Sequence, residues 1–256
     1  MSNQEETCTG QLISGNEAAG EAAIRAGCKF YAGYPITPQN ELIAYMADQL
    51  PLRGGTFVQA ESELAAINML FGASAAGARC MTSSSSPGVS LKQEGISYLA
   101  ACNLPAVIVN VQRGGPGLGG IGPSQGDYFQ TTRGGGHGDY RCIALAPASV
   151  QEMADLTYDA FDLADKYRNP VIVLSDAMTG QMMEGVDLDQ LPEPDLPDKP
   201  WALTGARGRE KNVIRSLYIK EGQLTDHNLE LLEKYEKIRQ AEARCESLRC
   251  EDAEIL

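Results

Sequence analysis

A chain of 256 residues has room for one large α/β domain or two small ones, and 43% hydrophobic residues suffice for a substantial core. A formal net charge of -13 argues against an electrostatically driven nucleic-acid binder and against a surface that seeks anionic lipid. Seven cysteines, at positions 8, 28, 80, 102, 142, 245 and 250, include no C-x-x-C pair, so neither a disulfide framework nor a local zinc or iron-sulfur motif is visible. The polar first ten residues lack the zones of a signal peptide, and no apolar run approaches the roughly 20 residues of a membrane helix. Together these features predict a reduced, cytoplasmic protein.

In chain order, residues 11–14 read as a strand, and Asn16 as the cap of an Ala-rich helix that continues to Ala26 and stops at Gly27. Residues 30–34 form the next strand, 39–50 a helix and 57–60 an extended segment. Residues 62–76 read as a helix of small residues, apolar nearly all round and therefore buried. A strand at 79–82, a Ser-Ser-Ser-Ser-Pro-Gly turn at 83–88 and a helix to about Cys102 lead into the strongest strand, 106–111. After a glycine-rich segment, a strand at 143–145, a helix at 150–166 and a strand at 171–175 complete the pattern. This alternation predicts an α/β fold: a mostly parallel sheet, right-handed crossovers and helices on both faces. Composition then shifts. Residues 191–200 read as an acidic, proline-rich linker, and 226–249 as a charged helix with a thin stripe of Leu229, Leu232, Tyr235 and Ile238. The predicted division is residues 1–186 as the folded domain and 187–256 as linker and tail, with the stop at Ile255-Leu256 suggesting truncation before a further domain.

Three strand ends carry the chemistry, and an open parallel sheet collects its ligand at that edge. Tyr34-Pro35-Ile36-Thr37-Pro38 is a rigid turn that presets the Thr37 hydroxyl, unless Thr37 only caps the following helix. Glu61 and Glu63 open the buried helix, a place the helix dipole favours for carboxylates in any case. Two residues apart they project about 200° apart, so only one faces the sheet edge, where Leu64, Ala65, Ala66 and Ile67 would desolvate it and suit it to share a proton. Arg113 ends the strongest strand, where a guanidinium can clamp a substrate carboxylate or form a structural ion pair. Gly117, Gly119 and Gly122 form a G-x-G-x-x-G, the fingerprint of a Rossmann-type dinucleotide fold, yet no apolar helix opens after it and Asp139 does not end a strand. His137 in the second glycine run is either a base or a backbone hydrogen-bonder.

The Y-P-I-T-P turn, Val111-Gln112-Arg113-Gly114-Gly115-Pro116, Pro123-Ser124-Gln125 and residues 134–139 together resemble the alpha subunit of the 2-oxoacid:ferredoxin oxidoreductases, most of all its 2-ketoisovalerate branch. The resemblance covers about residues 11–185 and implies a thiamine-diphosphate-binding fold of the pyrimidine type. It places the cofactor-activating carboxyl on Glu63, followed by Ala66 and Gly72 in the thiamine-enzyme pattern. Such a carboxyl hydrogen-bonds the aminopyrimidine ring and promotes the tautomer that creates the nucleophile. It further implies cofactor contacts from Tyr34, Pro35, Ile36, Thr37, Ser86 and Gly88, and substrate contacts from Thr37 and Arg113. The implied reaction is oxidative decarboxylation of a 2-oxoacid to acyl-CoA, with electrons passing through iron-sulfur clusters to ferredoxin. Thiamine diphosphate would be shared with a beta subunit, which holds the diphosphate and magnesium, beside gamma and ferredoxin-like delta subunits. A non-catalytic scaffold, whose crevice serves only as a subunit interface, is the alternative.

Overall fold

The computed structural model describes residues 10–245. The chain divides into two compact units between Leu217 and Tyr218. The first contains β1 (Gln11–Ser14), α1 (Gly15–Arg25), β2 (Phe30–Gly33), α2 (Asn40–Leu52), β3 (Thr56–Gln59), α3 (Glu63–Ala75), β4 (Cys80–Ser84) and α4 (Ser86–Ala101). It continues with β5 (Ala106–Gln112), α5 (Tyr128–Arg133), β6 (Ile143–Leu145), α6 (Val150–Tyr167), β7 (Pro170–Asp176), α7 (Ala177–Gln181) and β8 (Met183–Val186).

Six strands pair in the order β3-β2-β4-β5-β7-β6, every pair parallel. Right-handed crossovers place α3 and α4, which carry the chain one way across this sheet, on one face, and α2 and α6, which carry it back, on the other. The central strands β5 and β7 are buried on both faces, as their unbroken Val and Ile runs require. From β2 the chain steps outward to β3 and then returns to β4 on the other side of β2. The gap above β2 and β4 is therefore the topological switch point, the place where such sheets leave a crevice at the strands' carboxyl ends.

Several local expectations need correction. β1 does not join the main sheet; it pairs antiparallel with β8, Gln11 opposite Val186, in a separate two-stranded sheet. A partner so distant in sequence leaves no trace in local pattern. Ser14 rather than Asn16 caps α1: its hydroxyl accepts from the Glu17 amide while Glu17 reaches back to the Ser14 amide and hydroxyl. Asn16 is instead fully buried and donates to the Pro38 carbonyl and to Glu41. Residues 83–88 are not a turn: Ser83 and Ser84 end β4, Ser85 is the N-cap, and Pro87 sits in the first turn of α4, where a missing N–H costs nothing.

The proline-rich stretch after Val186 has little regular structure but is tied to the sheet unit. Arg79, with a side chain only 4% exposed, donates to Asp162 and Asp165 of α6, to the Ala26 carbonyl and to the Asp195 carbonyl of that stretch. Lys199 pairs with the same Asp165 at 2.5 Å. The second unit contains α8 (Gln223–Glu242). Its buried leucine is Leu231, whereas Leu229 and Leu232 of the expected stripe face solvent. The expected helical residues 246–249, and the chain stop at 255–256, lie outside the described residues. No helix among the described residues is long and apolar enough to cross a membrane.

Candidate active site at the switch point

Three of the four segments predicted to carry chemistry leave the sheet at its carboxyl edge: residues 34–38 after β2, Glu63 after β3 and Arg113 after β5. The fourth, Ser86 and Gly88, is the first turn of α4 after β4. α4 joins the groups into two pairs. The Arg113 amide donates to the Ser86 hydroxyl at 3.0 Å, and that hydroxyl faces the Arg113 carbonyl at 3.2 Å. Two residues further along, the Glu63 carboxyl lies against the bare backbone of Gly88: a Cβ there would stand 2.5 Å from Glu63 Oε1 and 2.1 Å from Ser84 Oγ.

Ser62 caps α3, its hydroxyl accepting from the Ala65 amide, so Glu63 is the first helical residue and Glu61 stays outside the helix. Glu63 is 5% exposed and Glu61 is exposed, which settles which of the two faces inward. Of the four residues expected to surround it, Leu64 is exposed while Ala66 and Ile67 are fully buried, and the backbone of Gly88 lies against its carboxyl.

The guanidinium of Arg113 spans the mouth. Nη1 donates to the Thr37 carbonyl at 2.9 Å and Nη2 to the Leu118 carbonyl at 2.9 Å, so the clamp residue ties the 34–38 turn to the glycine-rich loop. Neither contact is an ion pair. Thr37 does not cap α2, whose N-cap is Gln39; its hydroxyl accepts from Asn40 at 3.2 Å. Tyr34 and Pro35 are exposed and Ile36 is half-buried, and the Tyr34 carbonyl accepts from Gln39 Nε2 at 3.2 Å.

Beneath the crevice runs a buried polar chain that sequence reasoning missed. The Tyr31 hydroxyl meets Ser83 Oγ at 2.5 Å, and Ser83 Oγ donates to Gln39 Oε1 at 2.5 Å. Lys92, fully buried on α4, donates from Nζ to Thr82 Oγ1 at 3.0 Å and to the Ser83 carbonyl at 3.5 Å. Burial pulls the Lys92 ammonium down to about 8, against the opposing pull of the Glu63 carboxylate. The available signal was its helical position: Lys92 occupies the same inward stripe as Val89, Ile96 and Leu99, where a lysine is out of place.

The glycine-rich segment is not a phosphate cradle. It folds back on itself, Gly120 N–H donating to the Gly114 carbonyl and Gly114 N–H to the Gly122 carbonyl, and a Cβ on Gly119 would collide with the Gly114 carbonyl. The next helix, the six-residue α5, begins only at Tyr128. This arrangement disfavours the dinucleotide reading, since the fingerprint requires the glycines to open directly into a helix. His137 is exposed and packs edge-on against the Tyr98 ring, with a centroid separation of 6.0 Å.

The residues present fit a polar, flat ligand group. Ser84 Oγ, Ser85 Oγ and Arg113 Nε are buried polar atoms with no hydrogen-bond partner among the described residues, and buried donors and acceptors left this way call for a ligand or water. Beside them the Glu63 carboxyl and Ser84 Oγ occupy the space that a side chain on Gly88 would fill, which holds the carboxyl close to the start of α4. Among the described residues, no cluster of three or more His, Cys, Asp and Glu side chains could hold a metal ion.

Residues 21–249 match the family described as pyruvate flavodoxin/ferredoxin oxidoreductase, thiamine diP-bdg. The chain is 55% identical over 246 residues to the ketoisovalerate oxidoreductase subunit VorB of Methanothermobacter marburgensis, covering 96% of this chain and 70% of that relative. It is 48% identical over 229 residues to the 2-oxoglutarate synthase subunit KorA of Archaeoglobus fulgidus, covering 89% of this chain and 64% of that relative. Among solved structures it resembles the 2-oxoglutarate:ferredoxin oxidoreductase of Magnetococcus marinus with 2-oxoglutarate, coenzyme A and succinyl-CoA bound. That likeness has a TM-score of 0.83 at 29% identity and covers 94% of this chain but only 47% of the other.

Proposed function

The chain belongs to the thiamine-diphosphate-binding pyruvate flavodoxin/ferredoxin oxidoreductase family, and from that premise we propose that it is the alpha-type component of a complex oxidatively decarboxylating a branched-chain 2-oxoacid. The branch assignment is supported by the identity gradient, 55% to a ketoisovalerate subunit against 48% to a 2-oxoglutarate one. In this reading residues 1–186 form the pyrimidine-binding domain, followed by a linker whose first part is held against it through Arg79 and Asp165. The diphosphate and its magnesium sit on a beta subunit. Iron-sulfur clusters on partner subunits, including gamma and ferredoxin-like delta subunits, pass electrons to ferredoxin while coenzyme A takes the acyl group. The assembly works in the cytoplasm.

The observation that carries this reading is the Glu63 carboxyl, buried at the helix start and packed against the bare backbone of Gly88 at the switch point. When bound, thiamine diphosphate supplies the carbon nucleophile that adds to the 2-oxo carbon and the sink that holds the electrons left when carbon dioxide departs. Glu63 shares a proton with the pyrimidine ring, held to the required geometry by Gly88 and Ser84. The unpartnered hydroxyls of Ser84 and Ser85 offer hydrogen bonds to the ring's edge. Arg113 and Thr37 orient the substrate: the two Nη groups already anchor the guanidinium to the turn and the loop, leaving Nε free for a carboxylate oxygen. The turn, with Tyr34 and Pro35 exposed and Ile36 half-buried, supplies the remaining cofactor contacts in this reading.

The test is coenzyme A-dependent viologen reduction by the assembled complex across a panel of 2-oxoacids, with Glu63→Gln in parallel. The expected outcome is that activity requires thiamine diphosphate, prefers branched-chain substrates and collapses in the variant while assembly is retained. Unchanged turnover in Glu63→Gln would leave this chain as a scaffold.

A further inference from the structure

Lys92 is a fully buried lysine whose Nζ reaches two neutral oxygens, Thr82 Oγ1 and the Ser83 carbonyl. A cation confined in a core is costly unless a counter-charge answers it, and a methionine would fill the same space without that cost. The charge that acts on it through space, without an ion pair, is Glu63 of α3. The other elements around it supply no second charge. Thr82 and Ser83 of β4 are neutral, and Tyr31 of β2, linked through Ser83, is a phenol that burial pushes up and so keeps protonated. β5 carries no titratable side chain, and the Asp176 of β7 is engaged in capping α7. Lys92 also stands one helical turn after Gly88, the residue whose missing side chain lets the Glu63 carboxyl pack close to α4.

We propose that Lys92 is a positioning residue for Glu63: a buried cation, set below the crevice by α4, that holds the carboxylate in place for the pyrimidine ring of thiamine diphosphate. This inference rests on the reading of Glu63 given above. Through Ser83 the same ammonium connects to Gln39 and hence to the Tyr34 carbonyl, so Lys92 also backs the 34–38 turn. Its charge makes the site pH-sensitive. Because Lys92 is pulled down to about 8, the counter-charge fades as the solution becomes moderately alkaline, while an unperturbed lysine would keep it to about pH 10.

The experiment is calorimetric titration of the assembled complex with thiamine diphosphate between about pH 6.5 and 9.5, using wild type, Lys92→Met, Glu63→Gln and the double variant. Wild-type affinity is expected to fall as pH passes through about 8, with the Lys92→Met affinity lower by roughly 10- to 100-fold at neutral pH and flat across the range. In the Glu63→Gln background, Lys92→Met should cost little, because the charge it answered is gone. An equal cost in both backgrounds would make Lys92 a packing residue and overturn the proposal. If Glu63→Gln itself leaves cofactor affinity and turnover unchanged, the failure lies with the reading of Glu63, a separable result. Should Lys92→Met not assemble, Thr82→Val removes the Nζ acceptor instead. Its alkaline limb is expected at lower pH than in wild type, and an unmoved limb would count against the proposal.

Discussion

Replacing Gly88 by alanine adds one methyl group at the point where the site is tightest. The new Cβ would stand 2.1 Å from Ser84 Oγ, 2.5 Å from Glu63 Oε1 and 2.9 Å from Glu63 Cγ. Ser84 can rotate away cheaply, because its hydroxyl has no hydrogen bond to lose among the described residues. Glu63 cannot: to reach an ordinary contact of about 3.4 Å its carboxyl must retreat by about 1 Å, and its Cγ by about half that. Overpacking of this kind costs about 1–3 kcal/mol, partly offset by the better helix propensity of alanine, so the melting temperature should fall by no more than about 10 °C. A misplacement of about 1 Å at a catalytic group costs on the order of 100-fold in rate, or about 2.7 kcal/mol. The assay is thiamine-dependent 2-oxoacid oxidation by the assembled complex beside a thermal melt.

Gly95→Ala is the control. It lies two turns further along α4, where a Cβ would stand 2.6 Å from both Cγ atoms of Ile67, a branched side chain that cannot swing aside. This variant should lose at least as much stability as Gly88→Ala, yet keep its turnover within a fewfold below its melting point. Turnover in Gly88→Ala within about threefold of wild type, or a loss matched by Gly95→Ala, would refute the argument that the contact with Glu63 controls catalysis.

Other outcomes follow from the same geometry. Arg113→Lys keeps the charge but not the fork that reaches both the Thr37 and Leu118 carbonyls, so KM for the 2-oxoacid should rise by roughly 10- to 100-fold in steady-state kinetics. Arg79→Met removes a buried guanidinium with its bonds to the Ala26 and Asp195 carbonyls, and leaves the buried Asp165 with Lys199 alone and the half-exposed Asp162 to solvent; a loss of about 3 kcal/mol is expected in denaturant unfolding. At Glu21, burial pushes the carboxyl up, but hydrogen bonds from Arg53, Arg25 and Tyr45 outweigh it and hold the group below the ordinary value of 4.5. Its stabilisation is therefore complete above that value and is lost as pH falls through the lowered one, so the melting-temperature advantage of wild type over Glu21→Gln should vanish as melts are taken from about pH 6 toward pH 3.

Where the chain order itself encodes the fold, reading it in one dimension succeeded. Alternating apolar runs and helical stretches lead to a parallel sheet, because parallel neighbours need long crossovers and those crossovers are the helices. Strand-end placement likewise brought Thr37, Glu63 and Arg113 to one edge, and the resemblance added Ser86 and Gly88 beside them. Helical phase does not separate Glu61 from Glu63, because α3 begins only at Glu63; the burial of Glu63 agrees with the family resemblance that put the carboxyl there. Some short elements fared worse, although β1 and β6 were read with their observed bounds. The six-residue α5, five-residue α7 and four-residue β8 are too short for a period to register, and β8 exists only because β1 lies opposite.

By itself, then, the sequence determined the layer architecture through the spacing of its elements, the family through its motifs, and the strand ends that carry Thr37, Glu63 and Arg113. Only the tertiary structure decided which of them touch: that Gly88 makes room for Glu63, that Ser86 holds Arg113, and that Arg113 anchors Thr37. It also decided that Lys92, a polar residue in an apolar stripe, ends beneath the site rather than in solvent. The physical reason is that contacts between separate strand ends depend on where the sheet order reverses, and a reversal between β3 and β4 is a fact about three-dimensional neighbours that no local pattern carries.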